Sequence, residues 1–143
     1  MSFIAVEQIR ERKYGTYHAA AYLLHTIRRA VGFDSGSILI TNHRLPANLL
    51  LTIAETNHVK IQTAKEFDCG VYHARNGTTF DRNSTIIVFQ PMQVEQEISL
   101  AKQLCEFYGA EAIVILPSEG TNLYEVYPDT EVTEHERYFN QSE

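Results

Sequence analysis

Residues 84–117 constrain the fold of this chain more than any other segment, because two apolar runs flank an amphipathic stretch. Residues 84–89 are rich in threonine, isoleucine and valine, which is typical of a strand covered on both faces. Apolar side chains then recur at helical spacing, at Val94, Ile98, Ala101, Leu104, Cys105 and Tyr108. Gly109 is a natural left-handed stop, and residues 112–116 form a second apolar run. The segment therefore predicts a strand, a crossing helix and a second strand.

The same plan recurs earlier in the chain. Residues 37–41 read as a strand, and Pro46 suits the first position of a helix. Leu49, Leu50 and Ile53 would give that helix its buried side, and residues 59–63 alternate like a half-buried strand. The sequence thus predicts two strand–helix–strand units in one α/β fold.

The flanking segments complete the predicted architecture. We expect a short helix over residues 3–12, a longer helix over residues 17–31, and a hairpin strand over residues 122–127 at the sheet edge. The prediction is one α/β domain over residues 1–128, with a mixed sheet of five or six strands and about three helices. Residues 129–143 are acidic and are expected to fray.

Composition narrows the class of protein. A chain of 143 residues suits one domain, and it has no run of about 20 apolar residues that would suggest a membrane span. The net charge of −6 argues against general nucleic-acid binding, which requires a basic surface. Two cysteines do not make a disulfide framework, and the first residues lack the pattern of a secretory signal. We therefore expect a cytoplasmic protein.

Residues 38–116 also carry a resemblance to a known family. The first strand runs into Thr41, Asn48 precedes a leucine-rich helix, and Ser84 opens the apolar strand. The second helix then ends in the sequence Phe-Tyr-Gly-Ala at residues 107–110. This pattern resembles a family of small bacterial α/β domains of unknown function. The resemblance implies the fold and supplies no activity.

The candidate site is polar and lies in loops. Ligands of α/β sheets tend to bind beyond the carboxyl ends of strands, and a polar stretch directly follows the first strand. We expect residues 73–83 to fold over the same rim, beside the loops at residues 90–92 and 118–119. The predicted ligand-binding residues are Asn42, His43, Arg44, His73, Arg75, Asn76 and Arg82. Guanidinium, amide and imidazole donors suit a phosphate or a carboxylate. The first hypothesis is a non-catalytic module that binds a small anionic ligand such as a nucleotide.

Other interpretations of the same residues stay open. The arginines could be ordinary loop cations that pair with Asp81, Glu66 or Glu119. The chain could instead be a protein-interaction or inhibitory module that acts through residues 122–127 or the acidic tail, and a homodimer is one such partner.

A third hypothesis is a small hydrolase or transferase. It would use His43 or His73 with Asp81 or Glu119 for acid–base chemistry. The histidines are scattered and no metal-binding spacing occurs, so we predict no metal site and no cofactor.

Overall fold

The computed structural model describes residues 3–9, 29, 36–42, 44–67, 72–80, 84–118 and 123–129. The predicted helix over residues 17–31 lies outside these ranges except for Arg29, and so does the predicted tail beyond Asp129. Two helices are described, α1 (Ala47–Asn57) and α2 (Val94–Tyr108). Eight strands are described: β1 (Phe3–Ile9), β2 (Ser37–Thr41), β3 (Ile61–Phe67), β4 (Tyr72–His73), β5 (Thr79–Phe80), β6 (Ser84–Phe89), β7 (Ile113–Leu116) and β8 (Leu123–Asp129).

Six of these strands form one sheet in the order β1-β8-β7-β2-β6-β3, and β4 pairs with β5 in a separate ribbon. Every pairing among the described strands is antiparallel, so the predicted mixed sheet was wrong. The α/β class itself is confirmed, and the described residues hold eight strands, six of them in the main sheet, and two helices rather than about three.

The two predicted strand–helix–strand units are present, and they interlock. β6 lies between β2 and β3, and β2 lies between β6 and β7. Each helix therefore connects two strands that run parallel to each other but are separated by a strand of the other unit. This arrangement explains why the sheet is antiparallel although each unit alone suggested parallel pairing.

Alternation along the central strands creates two cores. On one face, Leu39, Ile87 and Ile113 pack with residues of both helices, including Leu50 and Leu104. On the other face, the ribbon supplies Tyr72 and Phe80, which pack with the strand residues Ile38, Ile40, Ile86, Val88 and Val114. Because successive strand residues point to opposite faces, both sides of the central strands are buried. The helical layer and the ribbon thus cover opposite faces of the sheet.

Both helices end at a residue whose backbone is left-handed. α2 ends as predicted at Gly109, whose backbone is left-handed with φ 74° and whose N–H bonds the carbonyl of Leu104. α1 ends at Asn57, and His58 takes the left-handed position with φ 54°. The next strand consequently begins at Ile61 rather than at residue 59.

The first segment was predicted as a helix over residues 3–12, and this prediction was wrong. Phe3–Ile9 is a strand that pairs along its whole length with β8. Ala5 is buried on the ribbon side, whereas the neighbouring Ile4 packs against the helical core, which is the two-residue period of a strand. Tertiary pairing here overrides helix propensity. β8 pairs with β7 as the predicted hairpin, but β1 covers its other side, so β8 is not the sheet edge.

Candidate functional site

The ribbon carries a tight turn to the end of the sheet. Ala74 N–H bonds Thr78 O at 2.9 Å, and Gly77 N–H bonds Ala74 O at 3.0 Å. Gly77 has φ 91°, a backbone conformation that side chains other than glycine rarely adopt. The rings of Tyr72 and Phe80 meet edge to face, with centroids 5.8 Å apart, on the buried side of the ribbon. Apolar packing therefore holds the strands of the ribbon to the sheet. The turn between them is positioned by polar contacts.

Two carboxylates and their partners meet under this turn; we call Glu7, Tyr72, Arg75, Glu125 and Tyr127 the carboxyl cluster. Glu7 of β1 and Glu125 of β8 are direct cross-strand partners. The Tyr72 hydroxyl and the Arg75 backbone N–H both donate to Glu125, the latter at 2.9 Å. Arg75 Nη1 lies 3.0 Å from Glu7 Oε2, and the Tyr127 hydroxyl donates to Glu7 Oε1 at 2.6 Å. Both carboxylates are therefore tied to the ribbon through Arg75.

Burial dominates the electrostatics of this cluster. Glu125 is fully buried, and desolvation raises the pKa of its carboxyl above the ordinary value of 4.5, against the opposing hydrogen bonds from Tyr72 and Arg75. Desolvation and the nearby charge of Glu125 also raise the pKa of the Tyr72 hydroxyl, so that this group keeps its proton. A carboxyl group that binds a proton more tightly than usual is the kind of group that functional sites often employ.

A second group of polar side chains, the amide cluster, consists of Asn42, Asn76 and Glu111. Asn42 Oδ1 accepts the Glu111 backbone N–H at 3.2 Å, and Asn42 Nδ2 lies 3.4 Å from the Glu111 carboxylate. Asn76 Nδ2 donates to the Glu111 carbonyl at 3.0 Å. Asn76 Oδ1 accepts the Thr78 N–H at 3.1 Å, which closes the local turn. The end of β2 and the ribbon turn therefore meet at Glu111, just before β7.

Two other predicted ligand-binding residues, Arg44 and His73, contact different neighbours. Arg44 Nε pairs with Glu66 Oε1 at 2.9 Å on β3, as the alternative interpretation predicted, and both side chains are exposed. β3 and β7 lie on opposite sides of β2, so Arg44 and Asn42 reach in opposite directions across the sheet. His73 Nδ1 lies 3.2 Å from Thr79 Oγ1 within the ribbon, on its exposed side.

The remaining predicted residues fall elsewhere. His43 and Arg82 lie outside the described residues, as do the proposed acid–base partners Asp81 and Glu119. The acid–base hypothesis therefore stays a prediction.

The expected shared rim was wrong for residues 90–92 and for Ser118. Met92 N–H donates to the hydroxyl of Ser37 at 3.2 Å, and the Ser118 hydroxyl donates to Met92 O at 3.2 Å. Ser37 begins β2, whereas Asn42 follows its end. Because β2 runs antiparallel to β6 and β7, the ends of those two strands lie at the opposite end of the sheet.

Sequence reasoning missed the acidic members of the two clusters, Glu7, Glu111 and Glu125. One signal was available for Glu125. Glu125 lies on the same face of its strand as Leu123 and Tyr127, because residues two apart point to the same side. A strand that buries those two residues must also bury the carboxyl group. No such signal marked Glu7, because residues 3–12 were assigned to a helix.

No three side chains of His, Cys, Asp or Glu within the described ranges are grouped so that they could hold a metal ion. Neither of the two described helices is long and apolar enough to cross a membrane. Comparison with protein-family models, curated proteins and solved structures found no match to this chain. The resemblance to small bacterial α/β domains therefore stays a prediction.

Proposed function

We propose that the protein is a non-catalytic module that binds a small anionic ligand, such as a nucleotide, over the amide cluster and the side chain of Arg75. The observation that carries the proposal is the meeting of Asn42 and Asn76 on Glu111, although these segments are distant in sequence. Arg75 precedes Asn76 in the same turn, and its guanidinium group reaches Glu7 of β1, so the ligand that we propose extends from the two amides toward this cation.

The chemistry of these groups suits a ligand with both a charge and a polar ring. The asparagine amides are polar groups that Glu111 and Thr78 hold in fixed orientations, and the exposed Glu111 carboxylate accepts hydrogen bonds from an amino group. The guanidinium of Arg75 would attract the anionic part of the ligand. A bare inorganic anion would use only the guanidinium, whereas a nucleotide would use all three kinds of group.

Arg75 can take part although it already pairs with Glu7. A guanidinium group has five N–H donors, and one carboxylate does not occupy all of them. The Arg75 side chain is 36% exposed, so part of it reaches solvent. The ligand therefore binds to a cation that Glu7 has already oriented, which lowers the entropic cost of binding.

Asn76→Asp is the sharpest test of this site. The substitution keeps an Oδ acceptor for the Thr78 N–H, removes the donor to the Glu111 carbonyl, and places a negative charge in the turn, which would repel an anion. Calorimetric titration with adenosine and guanosine monophosphates and with inorganic phosphate would give the dissociation constants. We expect Asn76→Asp and Arg75→Ala to weaken nucleotide binding by about tenfold or more, as for loss of a charge-assisted hydrogen bond.

His73→Ala is the matched control, because His73 lies in the same ribbon on its exposed side and contacts Thr79. Its nucleotide affinity should equal that of the wild-type protein. The proposal fails if the wild-type protein binds none of the three probes, or if Asn76→Asp and His73→Ala bind equally well.

Two exposed apolar side chains favour a second candidate, a protein-interaction module that works through the helical layer. Leu51 of α1 is 63% exposed and Phe107 of α2 is 71% exposed. The surface predicted from residues 122–127 is not available for strand addition, because β8 already pairs on both sides. If this candidate is correct, Phe107→Glu should abolish a self-association or partner complex that light scattering detects for the wild-type protein. A monomeric wild-type protein at high concentration would exclude the homodimer.

A further inference from the structure

We infer that the carboxyl groups of Glu7 and Glu125 form a pH-sensitive latch, which holds the β4–β5 ribbon on the sheet firmly while the pair carries one proton and weakly when both groups are ionised. The inference goes beyond the proposed function, because it concerns a proton and not a ligand. It rests on the position of the two carboxyls relative to the ribbon.

The polar attachments of the ribbon to β1 and β8 converge on these two carboxyl groups. Glu125 accepts from the hydroxyl of Tyr72 and from the backbone N–H of Arg75. Glu7 pairs with the guanidinium of Arg75 at 3.0 Å. Glu7 and Glu125 come from the two ends of the chain and face each other across a β-ladder. Any change in the charge of this pair therefore acts directly on the start and the turn of the ribbon.

Three elements place charged or titratable groups around Glu7 and Glu125. In the described residues, β1 contributes Glu7, β8 contributes Glu125 and Tyr127, and the ribbon contributes Tyr72 and Arg75. With one proton on the pair, one carboxylate balances one guanidinium. With none, two carboxylates share that guanidinium, and like charges opposite each other in a ladder are destabilising.

Glu125 is the group that holds the proton. Burial raises the pKa of its carboxyl, and the charge of Glu7 raises it further. In the neutral form, Oε1 still accepts the Arg75 N–H, and the second oxygen still forms a hydrogen bond with the Tyr72 hydroxyl, which can donate or accept. Neutral Glu125 thus keeps both links to the ribbon without the cost of a buried charge.

The direction of the pH effect follows from linkage. A carboxyl with a raised pKa in the folded state stabilises that state fully below its ordinary pKa of 4.5. This contribution disappears as the pH rises through the raised folded-state pKa. The latch therefore weakens from acidic toward neutral or alkaline pH, and its opening would uncover the sheet face beneath Tyr72 and Phe80.

Hydrogen exchange followed by NMR can test the latch on the amide that it holds. The Arg75 N–H bonds Glu125 directly, whereas the Ile40 N–H lies in the central strand β2 and reports global opening. After correction for intrinsic exchange, we expect the protection of Arg75 to fall by about tenfold between pH 5 and pH 8, because the contribution of the protonated carboxyl is lost as the pH rises. The protection of Ile40 should change less.

Glu125→Gln is the decisive variant, because it imitates the protonated carboxyl and keeps an acceptor for Arg75. Its Arg75 protection should be independent of pH, while Glu55→Gln, a change at an exposed glutamate of α1, should behave like the wild-type protein. If Glu125→Gln does not fold, Tyr72→Phe replaces it and should lower Arg75 protection at every pH. The inference is overturned if wild-type Arg75 protection does not depend on pH, if Ile40 changes as much as Arg75, or if Glu125→Gln keeps the wild-type slope.

Discussion

Removal of the Tyr72 hydroxyl isolates the buried hydrogen bond between Tyr72 and Glu125. Tyr72→Phe keeps the ring that packs against Phe80 and deletes the donor to Glu125. Tyr72 is 3% exposed and Glu125 is 0% exposed, so water cannot replace the missing donor without a rearrangement. A hydrogen bond to a charged group is worth about 1.5–3 kcal/mol, and a neutral one about 1 kcal/mol.

The cost of Tyr72→Phe should therefore depend on pH. At pH 8, where a larger fraction of Glu125 is ionised, we expect a loss of about 2 kcal/mol in the free energy of unfolding. At pH 4, below the ordinary pKa of 4.5, the neutral form of Glu125 predominates in both states and the expected loss is about 1 kcal/mol. The hydroxyl favours the ionised form of Glu125 and so opposes the rise in its pKa, but desolvation is the larger effect, so this one bond is stronger at pH 8 although the ribbon as a whole is held more weakly there.

Urea unfolding at the two pH values measures both losses by linear extrapolation. Tyr124→Phe is the matched control, because its hydroxyl is partly buried and accepts only a long bond of 3.4 Å from Gln8. It should cost less than about 0.5 kcal/mol at either pH. A loss for Tyr72→Phe as small as that of Tyr124→Phe would refute the energetic role of the contact. An equal loss at pH 4 and pH 8 would refute the assignment of the titration to Glu125.

Two further predictions concern the helical layer. Leu104→Ala removes a buried side chain of α2 and should lower the free energy of unfolding by about 2–5 kcal/mol in urea titration, whereas a loss below 1 kcal/mol would mean that the helix can collapse onto the sheet. Gly109→Ala should cost about 1–2 kcal/mol, because φ is 74° and no atom lies within 4 Å of the added methyl group, so the penalty is one of backbone conformation alone. A thermal midpoint equal to that of the wild-type protein would contradict it.

The spacing of apolar residues was enough to predict the central helices and strands, but it did not predict which strands pair with each other. Helical spacing identified α2 and its stop at Gly109, and the apolar run identified β6. Spacing reports which side of an element is buried, but the same strand can pair in either direction. The order of strands depends on contacts between distant segments, so the interlocking of the two units could not be derived from either unit alone.

The candidate site was also predicted only in part. Asn42 and Asn76 were predicted to share a rim because Asn42 follows a strand and residues 73–83 were expected to fold over its end, and the structure brings the two side chains together at Glu111. Arg44 was placed with them because it is near in sequence, but the alternation and direction of the chain carry it toward Glu66 on β3. Proximity in sequence is a poor guide after a strand ends, since consecutive side chains diverge to different neighbours.

The carboxyl cluster shows why some sites cannot be assembled from sequence segments taken one at a time. Glu7 comes from the first strand, Arg75 from the middle of the chain and Glu125 from the last strand, and the bond between Tyr127 and Glu7 spans 120 residues. Each contact closes a long loop, so it forms only when the strands that carry it are already placed. A carboxyl group is costly to bury before its donors arrive, which makes the pairing of β1 with β8 and the docking of the ribbon mutually dependent. Loss of the Tyr72 or Arg75 bond should for this reason be felt in the β1–β8 ladder as well as in the ribbon.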